Sequence, residues 1–549
     1  DMGNRFLKGA MILSISMFAT KFLGILYVIP FQQLVGTSGM ALYNYAYTPY
    51  ALFISLSTLG IPVGIAKFVS KYNAAGEYDT ARKMFRYAIW FMVGLGCLGF
   101  LTMYNLAPWY AQVVLAGQKE LANSIEDVTM AIQTISFALL IIPVMAIFRG
   151  FFQGNQNMIP TSVSQFVEQV VRIIFILAGS YYIINIKGGS TKEAVGFSVF
   201  SAFLAGITAF LILYYYWIKN VKHYNKLLRK SVPHEPRNYG NLFTELISYA
   251  IPFAILGLAT NLFQIVDQTT YNHYMLVSGL DGVIVEDSYG MYAGSLYKII
   301  MIPVSFAISF GQPLIPELTH HLTAGNMKSV RKNLVLAIQL TCFITVPAVV
   351  GMALLSEPIY IMFFNSSTPG YNAMGGDIFR LGSLLGLFMA LYSIVTAILQ
   401  GIGKQWYGII FLGVSLVIKY LGNVFLIPIF QTDGATMATM IAYTFCITMS
   451  LIVIKRETGF KVSQLLRRLV AIFVFTGIMA LFVIAVKFIL DLFMDYNARH
   501  MLSYIYVAIA GFIGVLAYFG LAWYFDLITA LFGMKFSPKQ LKERILRRR

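Results

Sequence analysis

Charge is scarce in this chain. Only 11% of its 549 residues are Asp, Glu, Lys or Arg, against about 25% in soluble domains. That shortage excludes an ordinary soluble globular protein. Cysteine is scarcer still. Cys97, Cys342 and Cys446 each lie in an apolar run, which excludes a disulfide framework and a thiolate metal centre. The six histidines are scattered. No Walker-type phosphate loop, HExxH or metal-spaced His/Cys cluster occurs, so no catalytic residue, metal or cofactor is expected. Acids are outnumbered, 23 to 40, leaving a net charge of +17. In a chain this oily the excess base reads as inner loops facing anionic membrane lipid, and no nucleic-acid partner is expected.

What is abundant is apolar length. Hydrophobic residues make up 58% and mean hydropathy is +0.72. The apolar runs are of helical length and lack the short alternation of barrel strands. The pattern predicts an all-α polytopic membrane protein with about fourteen transmembrane helices. The first run is too long for a signal-peptide core and no small-residue cleavage site follows it, so no signal peptide is expected. Placing the N-terminus inside puts roughly 30 of the 40 basic residues in inner loops and the tail, leaving Lys119, Lys187, Lys192 and Arg499 outside. That bias predicts both termini on the inner side.

The chain repeats itself weakly at an offset of 251 residues. Gly39-Met40 matches Gly290-Met291, Gly60 and Pro62 match Gly311 and Pro313, and Gly150 matches Gly401. "AGEYDTARK" at 75–83 resembles "AGNMKSVRK" at 324–332. The repeat predicts two pseudo-symmetric six-helix lobes and two appended C-terminal helices. The divisions fall at 2–218 (N-lobe), 219–242 (basic linker), 243–454 (C-lobe), 455–530 (two further spans) and 531–549 (basic tail). Lobes of six spans share one topology, a common transporter plan.

Charges inside spans are costly and mark candidate sites. Gln165, Glu168, Gln169 and Arg172 follow one helical face of 159–184, and Glu168 and Arg172 have the spacing to pair along it. Asp267, with Gln264 on the same span, and Lys419, one turn from Asn423, fall in the same lobe, where the two charges can neutralise each other. Their role stays open between a structural ion pair and a coupling site. Lys21 and Lys298 have no acid nearby in their own helices. They open the two lobes, and two cations without counter-ions suit an anionic substrate. Arg380 is one turn from Asp377, as a rim ion pair, and Lys487 lies where it can snorkel outward.

The stretches "TKFLGILYVIPF" (20–31), "LGIPVGIAKFVSKYNAAGEYDTARKM" (59–84), "FRGFFQGNQNMIPTSVSQFVEQVVR" (148–172) and "LYKIIMIPVSFAISFGQPLIPELT" (296–319) resemble the multidrug/oligosaccharidyl-lipid/polysaccharide flippase superfamily. Within it they resemble the MurJ-type lipid II flippases of the Gram-positive branch. The resemblance implies a monomeric flippase in a bacterial plasma membrane, carrying lipid II to the outer leaflet by alternating access. Alternatives are a flippase for another undecaprenyl-linked precursor, a cation-coupled multidrug exporter, or a polyprenyl-phosphate enzyme. It further implies that Lys21, Lys298 and Arg172 meet the substrate's pyrophosphate in a cavity with Thr20, Gln165, Glu168, Gln169 and Gln264. Lys21 takes the place of a family arginine, while a second such arginine falls at Tyr27. A sodium site of some relatives falls at Asp267, Lys419 and Asn423, where the ammonium of Lys419 would replace the ion.

Overall fold

The computed structural model describes residues 2–115, 124–532 and 537–546. Lys119 and parts of the basic tail (533–536 and 547–549) lie outside them. The described residues form helices and no strand. Twelve helical stretches among them are long and apolar enough to cross a membrane, against about fourteen expected. The two expected spans without such a counterpart, 44–70 and 290–316, hold equivalent places in the two repeats. Both are helical nonetheless. The first is made by Val28–Leu59 and Ile61–Ala74. The second is a π-helical turn, Gly290–Leu296, leading into Tyr297–Thr323.

The chain divides into two compact units, 1–261 and 262–549. The first unit takes in the Tyr239–Gly257 helix, which the sequence reading places at the start of the second lobe. The reason is a close approach at Gly60. A Cβ added there would sit 2.4 Å from the Ala250 carbonyl oxygen and 2.7 Å from Ala254 Cβ, so only glycine lets these helices touch. The core of this unit is aromatic. Phe85 packs on Phe151 with ring centroids 4.3 Å apart, and Trp217 and Tyr224 close the cluster.

In the second unit the two C-terminal helices, Val462–Phe493 and His500–Tyr524, pack on Met327–Leu354. Gln339 donates to the Gln464 carbonyl at 3.1 Å, and Tyr518 donates to the Phe343 carbonyl at 2.6 Å. Cys342 and Cys446 are buried free thiols, whereas Cys97 is exposed.

The basic linker is strapped down within the first unit. The Thr191–Arg229 helix overruns the expected linker start, and Asn238 caps the next helix by accepting from the Gly240 amide at 3.0 Å. Between them Val232 donates to the Gly76 carbonyl at 3.0 Å, Arg237 pairs with buried Glu77 at 2.7 Å, and His234 Nε2 meets Asp79 at 2.9 Å. His234 Nδ1 faces the Glu235 carbonyl at 2.7 Å. Both ring nitrogens therefore point at acceptors, which favours the doubly protonated ring. The Glu235 carbonyl first, and the Asp79 carboxylate next, raise the His234 pKa above its ordinary value. A raised folded-state pKa gives stabilisation that is full below the unfolded value and is lost as pH rises through the folded one. Amide protection factors over 230–238 should therefore be higher at pH 6 than at pH 8.5, and His234→Gln should abolish the difference. Equal protection at both pH values in the wild type would refute the ion-paired strap.

Candidate functional site

The first site begins with how two helices meet. Ser16, Thr20 and Gly24 recur every fourth residue on Met2–Leu26, a stripe of small residues that allows close helix packing. Ser16 Oγ donates to the Ser162 carbonyl at 3.1 Å, and a Cβ at Gly24 would lie 3.4 Å from Gln169 Nε2. Thr20 spends its hydroxyl on the Ser16 carbonyl at 2.8 Å. This seam sets the Ile159–Tyr181 helix beside Lys21. Lys21 is exposed on the described surface, and the charge of Arg172 bears on it.

Arg172 is held on several sides. Its Nη2 donates to Gln169 Oε1 at 2.8 Å, its guanidinium lies 5.8 Å from the Tyr27 ring centroid, and it hydrogen-bonds the Tyr47 side chain. Tyr27, Phe31, Tyr43, Tyr47 and Tyr50 form a run of ring contacts behind it. Arg172 Nε is buried with no hydrogen-bond partner among the described residues. A guanidinium so fixed, with an unused donor, is pre-organised for an anion.

The expected pairing of Glu168 with Arg172 is not what forms. Glu168 Oε2 instead takes Arg149 Nη2 at 2.9 Å, and Arg149 Nε donates to Ser164 Oγ at 3.1 Å. Arg149 is 6% exposed within the Ile142–Gly154 helix. A cross-helix arginine, fixed in place by its second bond to Ser164, outcompetes a same-helix neighbour one turn away. The consequence is electrostatic. Glu168 is already neutralised, so Lys21 and Arg172 stand as two cations in no ion pair among the described residues. Gln165 is half-buried on the same helix.

The second constellation lies in the second unit and is closed. Lys419 Nζ has three donors and three acceptors: Asp267 Oδ1 at 2.6 Å, Asn423 Oδ1 at 2.9 Å and the Ala435 carbonyl at 3.0 Å. Asn423 Nδ2 donates to Asp267 Oδ1 at 2.9 Å and to Thr270 Oγ1 at 3.0 Å. Tyr292, carried on the π-helical turn, donates to Asp267 Oδ2 at 2.9 Å. Asp267, Lys419 and Asn423 are each 0% exposed. The ammonium occupies the centre of this cage.

Lys298 is half-buried one residue into its helix, and Gln264 is half-buried near Asp267 in sequence. Arg380 and Asp377 lie 3.4 Å apart at an exposed position. Lys487 reaches the Leu354 carbonyl at 2.6 Å. Arg149, Tyr47 and Tyr292 were missed. Arg149 left one signal, an arginine inside the otherwise apolar "AIFRGFF".

Comparison with known proteins decides the family. Residues 6–320 match the polysaccharide biosynthesis protein family. The chain is 36% identical over 517 residues to the lipid II flippase MurJ of Bacillus subtilis, covering 94% of this chain and 95% of that protein. The chain belongs to the MurJ family. Stage V sporulation protein B of the same species is a more distant relative, 24% identical over 389 residues, with 70% and 72% of the two chains covered. A solved lipid II flippase MurJ in an inward closed conformation shares the fold with a TM-score of 0.61 at 17% identity, over 94% of this chain and 100% of that one. Members of the MurJ family are transporters, not catalysts, and the chain is accordingly a multi-pass membrane protein.

Proposed function

We propose that this protein moves lipid II from the inner to the outer leaflet by alternating access, working as a single chain. The observation that carries the reading is the pair of uncompensated cations, Lys21 and Arg172, held on two packed helices inside a membrane-spanning unit. Two unpaired charges there are costly, and the cost is recovered when the counter-charge arrives with the substrate. The pyrophosphate link of lipid II supplies it. The guanidinium of Arg172, over the Tyr27 ring, brings a planar cation to the place where the family resemblance puts an arginine and this chain has Tyr27. Lys298 carries the same assignment in the second unit. The identity to the Bacillus subtilis flippase supports the choice of lipid II over other lipid-linked precursors.

Expression of this chain in cells depleted of their own lipid II flippase should restore growth and the appearance of lipid II on the outer leaflet. Failure to do either at normal expression, with no binding of purified lipid II, would overturn the assignment.

A further inference from the structure

We propose that Arg82 and Arg86, together with Trp217 and Asn225, form a site for the phosphate of an anionic phospholipid of the inner leaflet. The two arginines are one turn apart on the Tyr78–Leu115 helix. The Arg82 guanidinium stacks 4.6 Å from the Trp217 ring centroid, and its Nη2 donates to Asn225 Oδ1 at 3.3 Å. A guanidinium has five N–H donors, and that bond is the one the described residues supply. Arg86 is exposed, and its positive charge bears directly on Arg82. The nearby acids are taken elsewhere, Glu77 by Arg237 and Asp79 by His234. Two like charges one turn apart repel, and an anion between them removes that cost.

The second repeat shows what such an arginine does when it has a structural task. Arg331 matches Arg82 in the repeated "AG…RK" stretch. Its Nε donates to the Thr458 carbonyl at 2.7 Å, at the end of the Thr432–Thr458 helix, where a cation complements the helix dipole. In the first unit the Thr191–Arg229 helix runs on past this level, offers no free carbonyl end, and presents Trp217 and Asn225 instead. Arg82 thus keeps the planar fork that suits a phosphodiester.

The surroundings select a lipid over a soluble phosphate. Tyr87, Trp90, Tyr214 and Tyr215 are large exposed aromatics on the same two helices, and Trp and Tyr concentrate at headgroup depth. Lys219, Lys222 and Lys226 follow toward the helix end, and the charge bias of the loops assigns this end to the inner leaflet.

The test titrates the purified full-length protein in neutral detergent with phosphatidylglycerol or phosphatidylcholine and reads bound lipid by native mass spectrometry. The wild type should prefer phosphatidylglycerol. Arg82→Gln/Arg86→Gln should weaken phosphatidylglycerol binding about tenfold and leave phosphatidylcholine unchanged. Arg82→Lys, which keeps charge but loses the fork, should fall between. The charge-matched control Lys328→Gln/Lys332→Gln should bind like the wild type. If the double variant does not fold, Arg86→Gln alone serves, and it should bind phosphatidylglycerol more weakly. Wild-type-like binding by the folded arginine variants, an equal loss in the control, or displacement of the lipid by millimolar inorganic phosphate would overturn the proposal.

Discussion

Asp267→Ala should destabilise the protein by about 3–5 kcal/mol, the usual cost of leaving one member of a buried ion pair without its partner. The geometry makes the sign secure. Lys419 has no route to water, and its three donors are matched one to one by Asp267, Asn423 and the Ala435 carbonyl. Removing the carboxylate leaves an ammonium with two neutral acceptors. Tyr292 and Asn423 lose an acceptor at the same time. Replacing both charges with apolar residues of similar size, Asp267→Leu with Lys419→Met, should recover most of that loss. Unfolding midpoints of the single and double variants in one detergent give the coupling energy directly. The same variants separate the two roles the pair can play. If the apolar double variant is stable and still transports, the cage is structural. If it is stable and transport-dead, the charges take part in coupling. A single variant as stable as the wild type would refute the cage itself.

The Asp267–Lys419–Asn423 adjacency was legible because two of its members lie one turn apart on one helix and the third is the acid of the same lobe. Helical periodicity also gave the polar face of Ile159–Tyr181. Periodicity names a face, however, not the partner opposite it. Glu168 has two cations within reach, one on its own helix and one on the next. Which of them wins depends on how the two helices pack, and Ser164, which accepts from Arg149, lies at that contact. The boundary between the units was hidden for a related reason. The apolar run after 238 is a good span wherever it packs, and it joins the first unit because Gly60 allows contact with Ala250. The strap was illegible because its linker looked like solvated charge, while Glu77 and Asp79 stood among the loop residues of a distant segment.

Arg172→Ala should leave the protein folded and lower lipid II transport by roughly 30-fold or more, the scale of losing a charge-assisted contact to an anion in a desolvated site. Lys21→Ala should do the same. Arg172→Lys should fall between, because lysine keeps the charge but gives up the planar fork and the stacking on Tyr27. The more discriminating result concerns Arg149, which bonds Glu168 and Ser164 and is not one of the two proposed anion-binding cations. Its removal leaves Glu168 without its cross-helix partner. Arg172 is then the nearest cation, one turn along the same helix, and an i,i+4 pair becomes available. Arg149→Ala should therefore turn two free cations into one and impair transport almost as severely as Arg172→Ala. Arg149→Ala with Glu168→Gln removes both charges, leaves the site doubly positive, and should restore transport toward the wild type. A purely structural role for Arg149 predicts the opposite, since the double variant also lacks the buried bond between the two helices. Lipid II binding and transport of the three variants, at matched expression, decide between these outcomes. If the double variant is as inactive as Arg149→Ala while remaining folded, Lys21 and Arg172 do not act as an uncompensated pair.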